Sequence, residues 1–195
     1  MTHLEPVWHI PVLLGARRVG RRSERVARLV LKALAARAGI ETELIDLAVV
    51  DLPILRERPE ETDAPPPSFP SFRAKLAGAD GLVIVTPEYK GGYPGVLKNA
   101  LDHLEAGVFR RKPIGIVTVS SGAFGGLSCL AQLRLVCLAM GGVPIPVALP
   151  IPSVDSALDE ASNPLDPRLE GRLAAFLDEL IWYTRALAGS GRGDP

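Results

Sequence analysis

Cysteine is scarce in this 195-residue chain, which has only Cys129 and Cys137. Two thiols are too few for a disulfide framework, and their spacing matches no metal-binding motif. Histidine is scarce too, and His3, His9 and His103 belong to no visible triad or metal cluster. Neither sign of charge is in excess: Lys+Arg and Asp+Glu are 22 each. The broad positive field of a nucleic-acid-coating protein is therefore missing. No apolar run approaches the roughly 18 residues that a membrane span needs. The amino terminus, MTHLEPVWHI, lacks the basic and apolar regions of a signal peptide. These absences predict a cytoplasmic chain with no membrane, nucleic-acid or metal partner. What remains is an ordinary globular composition, 47% hydrophobic and 23% charged, at a length that suits one domain.

The hydrophobic pattern alternates between buried strands and helices. His9–Gly15, Thr42–Leu47, Gly81–Thr86 and Pro113–Val119 read as strands. Their near-continuous apolar character is that of a parallel sheet covered on both faces. Val143–Leu149 reads as a fifth strand, put at an edge by Pro144 and Pro146. Helical periodicity or composition covers Ser23–Arg37, Phe69–Ala77, Pro94–Leu104, Leu127–Met140 and Arg168–Leu187. Ser23 is the expected N-cap of the first helix. The charged, proline-rich stretch Arg56–Ser68 is an exposed loop. This alternation predicts an α/β doubly wound sheet of five parallel strands, order 2-1-3-4-5, with helices on both faces. Residues 1–188 form one domain in this reading, and 189–195 form a flexible tail. The tail's Arg192-Gly193-Asp194 spells an adhesion tripeptide that carries no function here.

Ligands of such sheets bind beyond the carboxyl ends of the strands, which singles out three loops. The first, Gly15–Ser23, runs from a buried strand into a helix N-terminus, where free N–H groups and the helix dipole favour an anion. From Arg17 to Arg28 there are six arginines and one acid. Arg25 and Arg28 belong to the helix's solvated face, whereas Arg18, Gly20, Arg21 and Ser23 are the expected phosphate ligands. The loop is neither a Walker A motif, since Arg21 and Arg22 replace Lys and Ser/Thr, nor G-x-G-x-x-G. The second loop holds Pro87, Glu88, Tyr89, Lys90 and Gly91 and can offer backbone groups and aromatic surface to a flat heterocycle. The third holds Ser120, Ser121, Gly122 and Gly125, small residues that let backbone approach a ligand. Lys98, Asn99 and Asp102 read as capping and surface residues, and the two cysteines as buried hydrophobes.

The stretch Thr86-Pro87-Glu88-Tyr89-Lys90-Gly91-Gly92-Tyr93-Pro94-Gly95-Val96-Leu97-Lys98-Asn99-Ala100-Leu101-Asp102 resembles the signature of the NADPH-dependent FMN reductase family. That family has a flavodoxin-like fold and includes quinone, azo-dye and chromate reductases. Gly15, Arg18, Gly20, Arg21, Ser23, Val26 and Ala27 match the family's phosphate loop, with Ala16 where a serine is usual and Lys90 where an asparagine is common. The resemblance implies a flavodoxin-like FMN-binding domain with no catalytic side chain, because the flavin carries the chemistry. It implies FMN as cofactor and NADPH or NADH as electron donor. Two electrons would pass through FMN to a small-molecule acceptor: a quinone, an azo compound, a metal oxyanion or free flavin. The alternative is a flavin-binding electron carrier or redox sensor without efficient NAD(P)H turnover. The resemblance also implies a homodimer or homotetramer. The stripe Val96, Leu97, Ala100, Leu101 and Leu104 reads either as core or, in any outward remainder with nearby Phe109, as a candidate contact surface.

Overall fold

A computed structural model describes residues 6–191. The first strand is interrupted at Pro11, which has no N–H to donate. Its halves, β1 (Trp8–His9) and β2 (Val12–Leu14), pair in parallel with β3 (Ile40–Glu41) and β4 (Leu44–Asp46). The Ile10 amide bonds the Glu41 carbonyl at 2.9 Å and the Val12 amide bonds the Glu43 carbonyl at 2.8 Å, so the ladder continues across the break. β5 (Leu82–Pro87) and β6 (Pro113–Val119) are buried along their whole length. β7 (Val143–Pro144) and β8 (Leu149–Ile151) both pair with β6, and every pairing is parallel. The order is β4-β2-β5-β6-β7. With β7 and β8 as two stretches of one edge strand, this is the flavodoxin-like 2-1-3-4-5 arrangement. The predicted fifth strand is thus broken over 145–148, beside the prolines that had marked it as an edge.

Helices cover both faces. α1 (Ser23–Ala35) and α6 (Pro167–Gly191) pack on one side through Val26, Val30, Leu34, Phe176, Leu177 and Leu180. α2 (Phe69–Ala77), α3 (Gly95–Asp102) and α4 (Leu127–Ala139) close the other through Phe72, Leu76, Leu97, Leu101 and Leu133. Each such large side chain contributes roughly 1.5–3 kcal/mol by leaving water. A Cβ on Gly115 of β6 would lie 2.6 Å from Phe176 Cζ, so only glycine lets α6 sit this close to the sheet. A short α5 (Val154–Ala157) follows β8 and was not foreseen. The predicted exposed loop contains a single 3₁₀ turn, Pro59–Glu61.

The cap of α1 and the placement of Phe109 differ from expectation. The residue that caps α1 is Arg22, and Ser23 is the first residue inside the helix. Leu97, Ala100, Leu101, Leu104 and Phe109 are buried, because α3 turns its apolar stripe onto the sheet. The stripe is thus core, one of its two expected readings, with Val96 half-buried at its margin. Exposed apolar residues lie elsewhere, among them Leu127, Leu135 and Leu138 on α4 and Trp182 on α6. The last helix continues through Gly189 to Gly191, and Arg192-Gly193-Asp194 lies outside the described residues, as does His3.

Candidate functional site at the carboxyl edge of the sheet

The three loops emerge side by side from the carboxyl ends of β2, β5 and β6. In the first, the Gly15 amide bonds the Val85 carbonyl at 2.8 Å. The chain then turns at Gly20, whose φ of +70° is in the left-handed region that glycine tolerates. Ser23 is 1% exposed, and its hydroxyl has no hydrogen-bond partner. A buried hydroxyl without a partner is uncommon. This one sits in the first turn of α1, where backbone N–H groups are also unpaired within the helix. Hydroxyl, free amides and the positive helix end together make a seat for an anion.

The arginines divide into separate tasks. Arg21 is a brace, because Nη1 donates to the Ala16 carbonyl at 2.7 Å and Nη2 to Asp46 Oδ2 at 2.5 Å. Only its buried Nε is left without a partner. Arg17 pairs with Asp51 at 3.2 Å, and Arg22 pairs with Asp155 of α5. Arg25, expected on the solvated face, reaches Asp155 at 3.5 Å and the Leu158 carbonyl at 3.3 Å. Arg28 bonds Glu24 at 2.7 Å and holds that carboxyl below its usual range. Arg18 differs from all of these, since its guanidinium lies 5.6 Å from the centre of the Tyr89 ring. That contact joins the first loop to the second.

The second loop is a two-residue hairpin. The amides of Tyr89 and Gly92 bond each other's carbonyls at 2.7 and 3.1 Å. Lys90 and Gly91 at the turn have φ of +53° and +79°. Positive φ at both central positions defines a type I′ turn, which favours Asn-Gly. Lys90 therefore holds a strained place for an L-residue and points its exposed side chain away from the fold. The Glu88 carboxylate serves as a clamp: Oε2 accepts from the Ser128 and Cys129 amides at 3.1 and 3.2 Å. Gln132 Nε2 donates to the Gly91 carbonyl at 2.9 Å. Sequence reasoning missed both contacts, because each links positions about 40 apart. It also missed Asn99, which accepts from the Leu55 amide at 2.9 Å and donates to the Pro53 carbonyl at 2.9 Å. Lys98 and Asp102, expected as surface charges, pair with each other at 2.5 Å.

The third loop is tied to the edge strand. The Ser120 amide donates to the Ile151 carbonyl at 3.1 Å, and the Ser153 amide donates to the Gly122 carbonyl at 3.0 Å. Buried Thr118 donates to the Gly125 carbonyl at 2.6 Å. A Cβ on Gly125 would lie 2.8 Å from Pro150 Cβ, so this glycine serves close packing. Ser121 and Gly122 stay exposed with open space at Gly122, and Phe124 projects at the tip.

The thiols and the described imidazoles are buried or paired. Burial pushes the Cys129 and Cys137 thiols up to about 12, with the Glu88 charge adding to the rise at Cys129. Both are neutral and unsuited to nucleophilic work. His103 is buried with Nδ1 2.8 Å from the Asn99 carbonyl, and His9 Nε2 lies 3.6 Å from Glu43. Among the described residues no group of His, Cys, Asp and Glu could hold a metal ion, and no helix is long and apolar enough to cross a membrane. The arrangement supplies an anion seat, backbone edges and aromatic surface, but no acid–base pair.

Known proteins share this pattern. The sequence model of the NADPH-dependent FMN reductase family matches residues 9–155. The FMN-dependent NADPH-azoreductase of Staphylococcus aureus (strain USA300) is 28% identical over 176 residues, 88% of this chain and 93% of that protein. A flavoenzyme NAD(P)H:(acceptor) oxidoreductase from Paracoccus denitrificans superposes with a TM-score of 0.72 at 26% identity, over 91% of this chain and 99% of that one. An azoreductase from Bacillus anthracis shares the fold at 14% identity, with a TM-score of 0.60 over 91% of this chain and 99% of its own.

Proposed function

The chain belongs to the NADPH-dependent FMN reductase family, and from that premise we propose that the three-loop crevice binds FMN and serves a flat aromatic electron acceptor, a quinone or an azo compound. The chain is an NAD(P)H-dependent oxidoreductase that uses FMN. The observation that carries the site assignment is the buried, unpartnered Ser23 hydroxyl in the first turn of α1. A phosphate monoester fits there, with Gly20 and the α1 amides offering donors and Arg18 offering charge. Arg21 holds the loop closed beneath it. The Tyr89, Lys90 and Gly91 backbone, with Ser121 and Gly122 opposite, would hold the heterocyclic ring. When bound, FMN supplies two-electron transfer between nicotinamide and acceptor.

The choice of acceptor rests on the rim. Tyr89 and exposed Phe124 offer ring faces, and exposed Val19 adds apolar surface. Such a rim favours a planar aromatic compound over a metal oxyanion. The exposed leucines of α4 favour a second copy of the chain as partner, in a homodimer. The relevant compartment is the cytoplasm, where NADPH is supplied.

The test is an anaerobic titration. The purified chain is loaded with FMN, and its absorbance is followed as NADPH and then a quinone, an azo dye or chromate is added. Bleaching by NADPH and return of colour with quinone and azo dye, faster than with chromate, is the expected result. Bound flavin that NADPH fails to bleach would make the protein a carrier or sensor. A chain that binds no FMN overturns the site assignment.

A further inference from the structure

The grip of α4 on the second loop has an electrostatic consequence for the crevice. α4 begins at Leu127 behind Gly126, with no acidic residue in its first turn and no side-chain cap of its own. The Glu88 carboxylate fills that role from 40 residues away, accepting from the Ser128 and Cys129 amides at 3.1 and 3.2 Å. One turn further along, Gln132 holds the Gly91 carbonyl at 2.9 Å. The helix thus grips the loop both just before its type I′ turn and within it. The loop so held and the loop that leads into α4 are the two that flank the ring in the reading above.

We propose that Glu88 is a positioning residue that also sets the redox poise of the cofactor: it locks the second loop to α4 and cancels the helix's positive end beside the crevice, which keeps the FMN midpoint potential low. The inference rests on FMN occupying this crevice. A helix N-terminus carries about half a positive charge, and the carboxylate carries a full negative one, so these two together are negative. Reduced FMN is richer in electrons than oxidised FMN, and a negative neighbour disfavours it. Replacing the carboxylate by its neutral amide reverses the local sign while conserving shape.

Three variants separate charge from position. Oxidised-FMN affinity is measured by fluorescence quenching, and the midpoint potential by equilibration with a reference dye. Glu88→Gln is expected to raise the ratio of reduced- to oxidised-FMN affinity about tenfold, which is about 30 mV for a two-electron couple. Glu88→Gln with Ser128→Asp returns a carboxylate to the exposed start of α4 and is expected to recover most of the shift. Gln132→Leu loosens the loop without changing charge, so it should weaken both redox states equally and leave the potential unmoved. A potential unchanged in Glu88→Gln overturns the proposal, as does an equal shift in Gln132→Leu or a failure of Ser128→Asp to restore it. Loss of FMN binding in the parent chain has a different meaning, since it removes the site assignment itself.

Discussion

Replacing Ser23 by alanine should move stability and FMN affinity in opposite directions. The hydroxyl is buried and finds no hydrogen-bond partner within the chain, and such a group costs about 1–3 kcal/mol. Ser23→Ala removes that cost, and alanine is also the better helix former. The FMN-free chain should gain about 1 kcal/mol, or roughly 2–4 °C in Tm at this size. With FMN present, the variant loses a hydrogen bond to a charged phosphate, worth about 1.5–3 kcal/mol. Affinity should therefore fall roughly ten- to a hundredfold. At a free FMN concentration a hundred times the parent's Kd, FMN stabilises the parent by about 2.7 kcal/mol, and a variant with tenfold weaker affinity by only about 1.4 kcal/mol. The two effects nearly cancel in the loaded protein but not in the FMN-free one. Thermal unfolding with and without FMN, together with a calorimetric titration, reads both. A variant that is less stable without FMN and binds FMN as tightly as the parent would refute the reasoning, because Ser23 would then be an ordinary packed serine.

Lys90→Asn should stabilise the chain by about 1 kcal/mol, since asparagine tolerates the left-handed conformation that Lys90 adopts at φ +53°. A urea midpoint shifted downward with unchanged slope would contradict the type I′ assignment. Cys129 and Cys137, with thiols held near 12 against an ordinary 9, should resist alkylation at pH 8 in the folded state and react on unfolding. Because the folded values are raised, the unfolded chain loses these protons first, so stability should decline as pH rises from about 9 towards 12. A double Cys→Ala variant with the same alkaline decline would assign it to other groups. Asn99→Ala removes the side chain that bonds the Leu55 amide and Pro53 carbonyl. At about 1 kcal/mol per bond, the 52–55 segment should open more often, and faster hydrogen exchange at Leu55 with the β5 amides unchanged is the expected signature.

The sheet was readable because its determinants are local. The apolar runs at Gly81–Thr86 and Pro113–Val119 are buried β5 and β6, and Pro144 and Pro146 marked the strand that breaks. The glycines and prolines of the loops likewise announced irregular backbone at three carboxyl ends. What was hidden was the division of labour among side chains of one type. Six arginines within twelve residues look alike in sequence, yet Arg21 is internal bracing, Arg22 and Arg25 hold α5, and Arg18 lies over Tyr89. Partners 25 to 133 positions away decide those roles. Ser23 was misread as a cap for the same reason: the pattern shows a serine at a helix start but not the direction of its hydroxyl.

The hidden contacts are also those that the proposed cofactor site most requires. Where a cofactor carries the chemistry, the protein's part is to orient it and tune its charge environment, and that demands rigid loops. Here each loop is tied to an element distant in sequence. Arg21 ties the first to Asp46 at the end of β4, Glu88 and Gln132 tie the second to α4, and the Ser120 and Ser153 amides tie the third to the edge strand. Of these clamps only Glu88 brings a charge that no side chain neutralises, since Arg21 pairs with Asp46 and Gln132 is uncharged. Loosening Arg21 or Gln132 should therefore change how tightly FMN is held, whereas Glu88 alone should change how readily it accepts electrons. The same reasoning explains how the family signature can extend past the loop tips. The glutamate in Thr86-Pro87-Glu88-Tyr89 is spent on the start of α4, and the asparagine in Lys98-Asn99-Ala100 on the loop after β4. Both act on the crevice through the backbone they hold in place.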